Sequence, residues 1–115
     1  MENQLATQHC RPLPPGTPPL PWPEVRALLE SLDPGWRVVD GPCLGREFHS
    51  GDYGRLLRLA GGVGDLAQAE DHHPDLELVW GRLSVSVSTH SIGGLSQNDF
   101  VLAARIDLLA RESSF

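Results

Sequence analysis

In the run RLSVSVSTH, Leu83, Val85 and Val87 alternate with Ser84, Ser86 and Ser88. A strict period of two predicts a β-strand with one buried and one polar face, and His90 shares the parity of the serines, on the wet face. LELVW, residues 76 to 80, predicts the partner strand, with Gly81 in the turn. The period then changes. From Asp52 to about Glu70, Tyr53, Leu56, Leu57, Ala60, Val63 and Ala67 recur at steps of three and four, which predicts a helix. Gly54, Gly61, Gly62 and Gly64 lie within it, and each costs up to about 1 kcal/mol against alanine in a helix interior. Packing must hold this helix, with close backbone contact expected at the glycines.

Two further helices and a hairpin complete the pattern. Val25, Leu28, Leu29 and Leu32 follow Pro23 at helical spacing, with Glu24 in the first turn, up to Asp33-Pro34-Gly35. WRVV (36 to 39) and LGREFHS (44 to 50) flank Asp40-Gly41-Pro42, the signature of two strands joined by a turn. The last helix, running through DFVLAARIDLLA to about Ala110, has Ser96 as N-cap, Asp99 at the third position of a capping box, and Leu95 facing Phe100 as a hydrophobic staple. Helix, two strands, helix, two strands, helix is the order of an α+β domain: a four-stranded antiparallel sheet covered on one face by three helices.

Composition places the rest. Residues 1 to 19 hold prolines at 12, 14, 15, 18 and 19, which remove backbone donors and favour polyproline geometry. They read as a flexible, proline-rich tail outside the core, with the domain spanning 20 to 115. Nine basic against fifteen acidic side chains give a formal charge of -6 over 115 residues, which argues against nucleic acid or a membrane surface as partner. Two cysteines, Cys10 and Cys43, imply no disulfide framework, and a reducing cytoplasm is the expected compartment. No apolar run approaches the ~20 residues of a membrane span, and no secretory signal is recognised.

The chemistry concentrates in EDHHPDLELVW, residues 70 to 80. His72, His73 and His90 with Asp71 and Glu70 include the common nitrogen and oxygen metal ligands, yet adjacent residues in extended chain point in opposite directions and no HExxH or CxxC is present. Acid–base work fits imidazole better, because its unperturbed pKa of about 6.5 lets it give and take protons near neutrality. A plainer role is also open, in which His72 and His73 sit at a helix end ahead of Pro74 and complement its dipole. Asp99 likewise has its capping bond whatever the protein does.

The spaced set His72-His73-Pro74, Trp80, Thr89-His90, Gly94-Leu95 and Asp99 resembles the signature of the pterin-4a-carbinolamine dehydratase family, over roughly residues 20 to 112. The resemblance implies a fold of four antiparallel strands and three helices, assembling as dimers that pair sheets edge to edge, or as dimers of dimers. It implies dehydration of 4a-hydroxytetrahydropterin to quinonoid dihydropterin, a lyase reaction run without metal or bound cofactor. Carried onto matching positions, His72 and His90 form the acid–base pair, Asp99 orients the histidines, and His73, Trp80 and Thr89 lie against the pterin. One position departs. Gln68 stands where much of the family has an acidic residue four positions before the first histidine, and an amide cannot supply that charge. Glu70 is rotated about 200° from it around a helix and is expected to point elsewhere. The run from His90 to Phe100, with the lead PPGTPPLP, is also similar to dehydratase-like proteins of α-carboxysome operons and plastids that act as Rubisco assembly factors. That resemblance implies a chaperone-like protein whose partner is Rubisco.

Overall fold

The computed structural model describes residues 4–115. Its main elements are helix α1 (Trp22–Leu29), strands β1 (Arg37–Val39) and β2 (Cys43–His49), helix α2 (Tyr53–Glu70), strands β3 (Asp75–Val79) and β4 (Arg82–Val87), and helix α3 (Gln97–Glu112). Short 3-10 turns occupy Gln4–Thr7 and His90–Ile92. All strand pairs are antiparallel, in the order β1-β2-β4-β3.

The serine alternation works as its period requires. Leu83, Val85 and Val87 are buried while their serine neighbours are only partly covered. Across the ladder Leu44 pairs with Val87 and Phe48 with Leu83, so the inward faces of β2 and β4 are continuous, and they share one core with Val25, Leu32, Val63, Phe100 and Ile106 from the helical segments. Arg46 has the same parity as Leu44 and Phe48, and it enters the covered side to meet Asp107 of α3. That carboxylate also accepts Trp36 Nε1 at 2.6 Å and the Asp33 amide at 3.0 Å. Burial pushes the Asp107 carboxyl above the usual aspartate range, against the Asp33 and Trp36 hydrogen bonds and the Arg46 charge.

Three sequence readings change. In α2 the buried stripe is Leu56, Leu59, Val63 and Ala67, while Tyr53 and Leu57 are exposed. A stripe narrower than the apolar pattern suffices because the helix packs on one side only. Of its glycines, Gly62 makes the close approach: a Cβ there would stand 3.0 Å from Leu109 Cδ2, whereas Gly61 and Gly64 face open space. Strand β4 stops at Val87 and is followed by an isolated bridge between Thr89 and Gly94, so His90 begins a turn instead of extending the strand. It is exposed, as the parity argument held, but it stands outside the sheet.

The third change concerns the lead segment, whose first three residues lie outside the described ones and whose remainder does not lie wholly outside the core. Leu5 is 6% exposed and belongs to the core cluster. Helix α3 explains this, because Phe100, Val101, Leu102, Ala103, Ala104 and Ile106 are buried, six of seven consecutive positions. A helix apolar on most of its circumference needs cover beyond one sheet and one neighbouring helix. Proline content correctly excluded ladder pairing, but it said nothing about Leu5 or the polar groups at positions 8 to 11.

Candidate functional site

The site begins where α2 ends. Asp71 adopts left-handed geometry at φ 52°, its amide bonds to the Ala67 and Gln68 carbonyls, and the His72 amide reaches the Ala67 carbonyl at 3.2 Å. The bonds from Asp71 to Gln68 and from His72 to Ala67 make a Schellman turn with aspartate in the position glycine usually takes. The backbone caps the helix. The His72 imidazole is thereby released from helix capping, contrary to the plainer sequence reading, and Nε2 lies 2.6 Å from Asp99 Oδ1.

Asp99 is 0% exposed, and every hydrogen bond it accepts comes from a named neighbour. Oδ2 accepts from the Ser96 amide at 2.8 Å, the capping-box bond read from the sequence, and from Thr89 Oγ1 at 2.8 Å. Thr89 and Ser96 hydroxyls lie 2.8 Å apart. A buried carboxylate needs such donors. Because Asp99 can only accept, the Nε2 nitrogen of His72 carries the proton and donates it, which leaves Nδ1 as the nitrogen able to exchange a proton with another molecule. Asp99 therefore acts both as a cap and as the group that fixes an imidazole.

The other expected site residues fall in different places. His73 is exposed, with Nε2 3.4 Å from Gln68 Oε1, so position 68 faces His73 and not His72. His90 directly follows Thr89 and lines a cavity of about 180 Å³ with Gly41, Pro42, Cys43, Ser88, Gly93 and Gly94. The pairing of Asp75 with Ser86 puts the start of β3 and the end of β4 at one edge of the hairpin, so His73 and His90 share that end of the fold. Trp80 does not. It is 77% exposed in the turn at the far end of β3, about 17 Å along the strand from its start, so one chain does not bring it to the histidines. Thr89 lines the His90 cavity but has its hydroxyl committed to Asp99 and Ser96.

Sequence reasoning missed the hydroxyl pair Thr89 and Ser96 as supports of Asp99. Parity was the available signal, because Thr89 continues the inward series of Val85 and Val87. Glu70 points away from His72, His73 and His90, as expected, and toward His9, Cys10 and Arg105. Among the described residues no group of three or more His, Cys, Asp or Glu side chains is placed to hold a metal ion, and no helix is long and apolar enough to cross a membrane.

The family model described as pterin 4 alpha carbinolamine dehydratase matches residues 18–109. Relatives named for that dehydratase family include one from Rubrobacter xylanophilus, 42% identical over 93% of this chain and 99% of its own. Another, from Alkaliphilus metalliredigens, is 40% identical over 91% and 95%. Among solved structures, a transcriptional coactivator/pterin dehydratase from Brucella melitensis is similar with a TM-score of 0.74 and 29% identity, covering 80% of this chain and 98% of that one. A pterin dehydratase-like protein described as a RuBisCO assembly factor in the α-carboxysome superposes with a TM-score of 0.56 at 20% identity, over 66% and 89%. That likeness is one of fold.

Proposed function

Because the chain belongs to the pterin 4 alpha carbinolamine dehydratase family, we propose that it dehydrates 4a-hydroxytetrahydropterin to quinonoid dihydropterin by histidine acid–base catalysis. The observation that carries this reading is the 2.6 Å contact between His72 Nε2 and the buried Asp99. It holds one imidazole in a single tautomer, with Nδ1 free to work. The reaction needs a proton delivered to the 4a-oxygen, cleavage of the C4a–O bond to release water, formation of C4a=N5 from the N5 electron pair, and loss of the N5 proton to a base. His72 and His90 take these two proton roles, and His73 seats the pterin at the rim.

Gln68 favours a second reading. Its amide gives His73 a neutral partner where a carboxylate would give charge, so the histidine set can persist in a protein with little or no turnover, acting as a Rubisco assembly factor. A dehydratase assay separates the two readings. Under the enzyme reading, His72→Ala and His90→Ala each lower the rate by about 10²-fold or more, and Gln68→Glu raises it. A silent wild type that Gln68→Glu leaves silent would favour the second reading, and soluble Rubisco yield with and without this protein then becomes the deciding measurement.

A further inference from the structure

Residues 8 to 20 touch all three pieces of chain that carry the histidine site. At the end of α2, Glu70 accepts the Cys10 amide at 2.7 Å through Oε1, and its Oε2 lies 2.8 Å from His9 Nδ1. At the start of α3, Asn98 holds Arg11 twice, accepting the Arg11 amide at 2.9 Å and donating to its carbonyl at 2.7 Å. Gln97 donates to Gln8 Oε1 at 2.8 Å, and Arg105 to the Gln8 carbonyl at 2.7 Å. On the loop between β4 and α3, the Leu20 amide bonds to the Leu95 carbonyl at 2.9 Å. Pro19 seats so close to Gly94 that a Cβ there would stand 2.8 Å from its Cβ.

Three of the anchors stand close to residues of the site. Glu70 precedes His72 by two positions, Asn98 immediately precedes Asp99, and Gly94 is the bridge partner of Thr89, which stands before His90. The consecutive amides of Cys10 and Arg11 are thus gripped by side chains of two different helices. His72 and Asp99 themselves are 27 residues apart and meet through one hydrogen bond. Polar joints of this kind fix direction and length in a way that apolar burial alone does not.

We propose that Gln8–Leu20 is an intramolecular strap that sets the geometry of the His72–Asp99 pair, with Glu70 and Asn98 as its positioning residues. The catalytic consequence rests on the acid–base reading of His72 given above. The strap fixes the end of α2 against the start of α3 and so holds the imidazole in its Nε2–H tautomer. Cys10 also reaches α3 with its side chain, whose thiol donates to the Asn98 carbonyl at 3.4 Å. Burial and the nearby Glu70 and Asp99 charges push its thiol up to about 12, so it stays protonated.

The test uses the full chain with Glu70→Ala, Glu70→Gln, Asn98→Ala and, as the mildest change, His9→Ala at a side chain that is 73% exposed. The primary readout is the nitrogen NMR spectrum of the His72 ring, which reports the tautomer whether or not the protein turns over. The two alanine variants at 70 and 98 are expected to move His72 out of the pure Nε2–H form, and Glu70→Gln, which keeps an acceptor for the Cys10 amide, to restore most of it. Under the enzyme reading kcat falls about tenfold with KM little changed. His9→Ala gives a smaller shift in the same direction and decides the matter if the stronger variants do not fold. A His72 spectrum identical to wild type in every folded variant overturns the strap. A wild type without dehydratase activity, whose His72 spectrum still responds, overturns the enzyme reading and leaves the strap standing.

Discussion

His72 Nε2 and Asp99 Oδ1 lie 2.6 Å apart, with the carboxylate wholly buried and the imidazole nearly so. The same carboxylate caps α3 through Ser96 and holds the Thr89 hydroxyl, so helix initiation, loop closure and histidine orientation depend on one side chain. Asp99→Asn keeps the shape and turns one acceptor into a donor. We expect stability to fall by about 1–3 kcal/mol, as for a buried group left mispaired, and, under the enzyme reading, turnover to fall by about 10²-fold. Urea unfolding and a pH–rate profile measure the two effects separately.

Leu5→Ala tests the packed lead segment. A buried leucine reduced to alanine typically costs 2–5 kcal/mol, and a peripheral site such as this belongs near the lower limit, about 2 kcal/mol. Chemical denaturation checks it, and an unchanged midpoint would mean that the segment does not rest on α3 in solution.

The Glu70 carboxylate makes the attachment of this segment dependent on pH. Burial pushes its pKa up, but the His9 and Cys10 hydrogen bonds and the Arg105 charge outweigh that and hold it below the ordinary glutamate value. A lowered carboxylate pKa contributes stability that is complete above the unfolded value and disappears as pH falls through the folded one. The Cys10 amide proton shift should therefore follow a titration whose midpoint lies below the ordinary glutamate value of about 4.3.

Asp107 has the opposite sign. Its pKa is raised by burial, so its ionisation favours unfolding, and its contribution declines as pH rises from the ordinary aspartate range through the raised value. Removing it is nevertheless harmful, because the Trp36 Nε1 proton and the Asp33 amide lose their acceptor and Arg46 keeps only Asp33 as a partner. Asp107→Ala is expected to cost about 3 kcal/mol at neutral pH, measured by urea denaturation.

The α2 glycines separate by their surroundings. Gly64→Ala adds a methyl group to open space and should stabilise the chain by about 0.5–1 kcal/mol through helix propensity. Gly62→Ala places its Cβ 3.0 Å from Leu109 Cδ2, so the gain should shrink or reverse. A thermal melt of the two variants side by side distinguishes them.

The sequence by itself determined what depends on local period and local chemistry. Alternation in β4, the capping box at Ser96 and Asp99, and the turn at Gly81 are each specified by residues within a few positions, so strand faces, helix start and sheet class were legible. The motif spacing likewise singled out His72, His73, His90 and Asp99 as candidates, of which the structure joins His72 to Asp99. Tertiary structure alone decided what joins residues distant in sequence. Nothing local says that His72 meets Asp99 through Nε2 or that position 68 faces His73. Nor does it say that a proline-rich lead closes over α3, because those prolines report only the ladder bonds they cannot make. The partners of Leu5, Glu70 and Asn98 become visible only once the chain has brought α2 and α3 together.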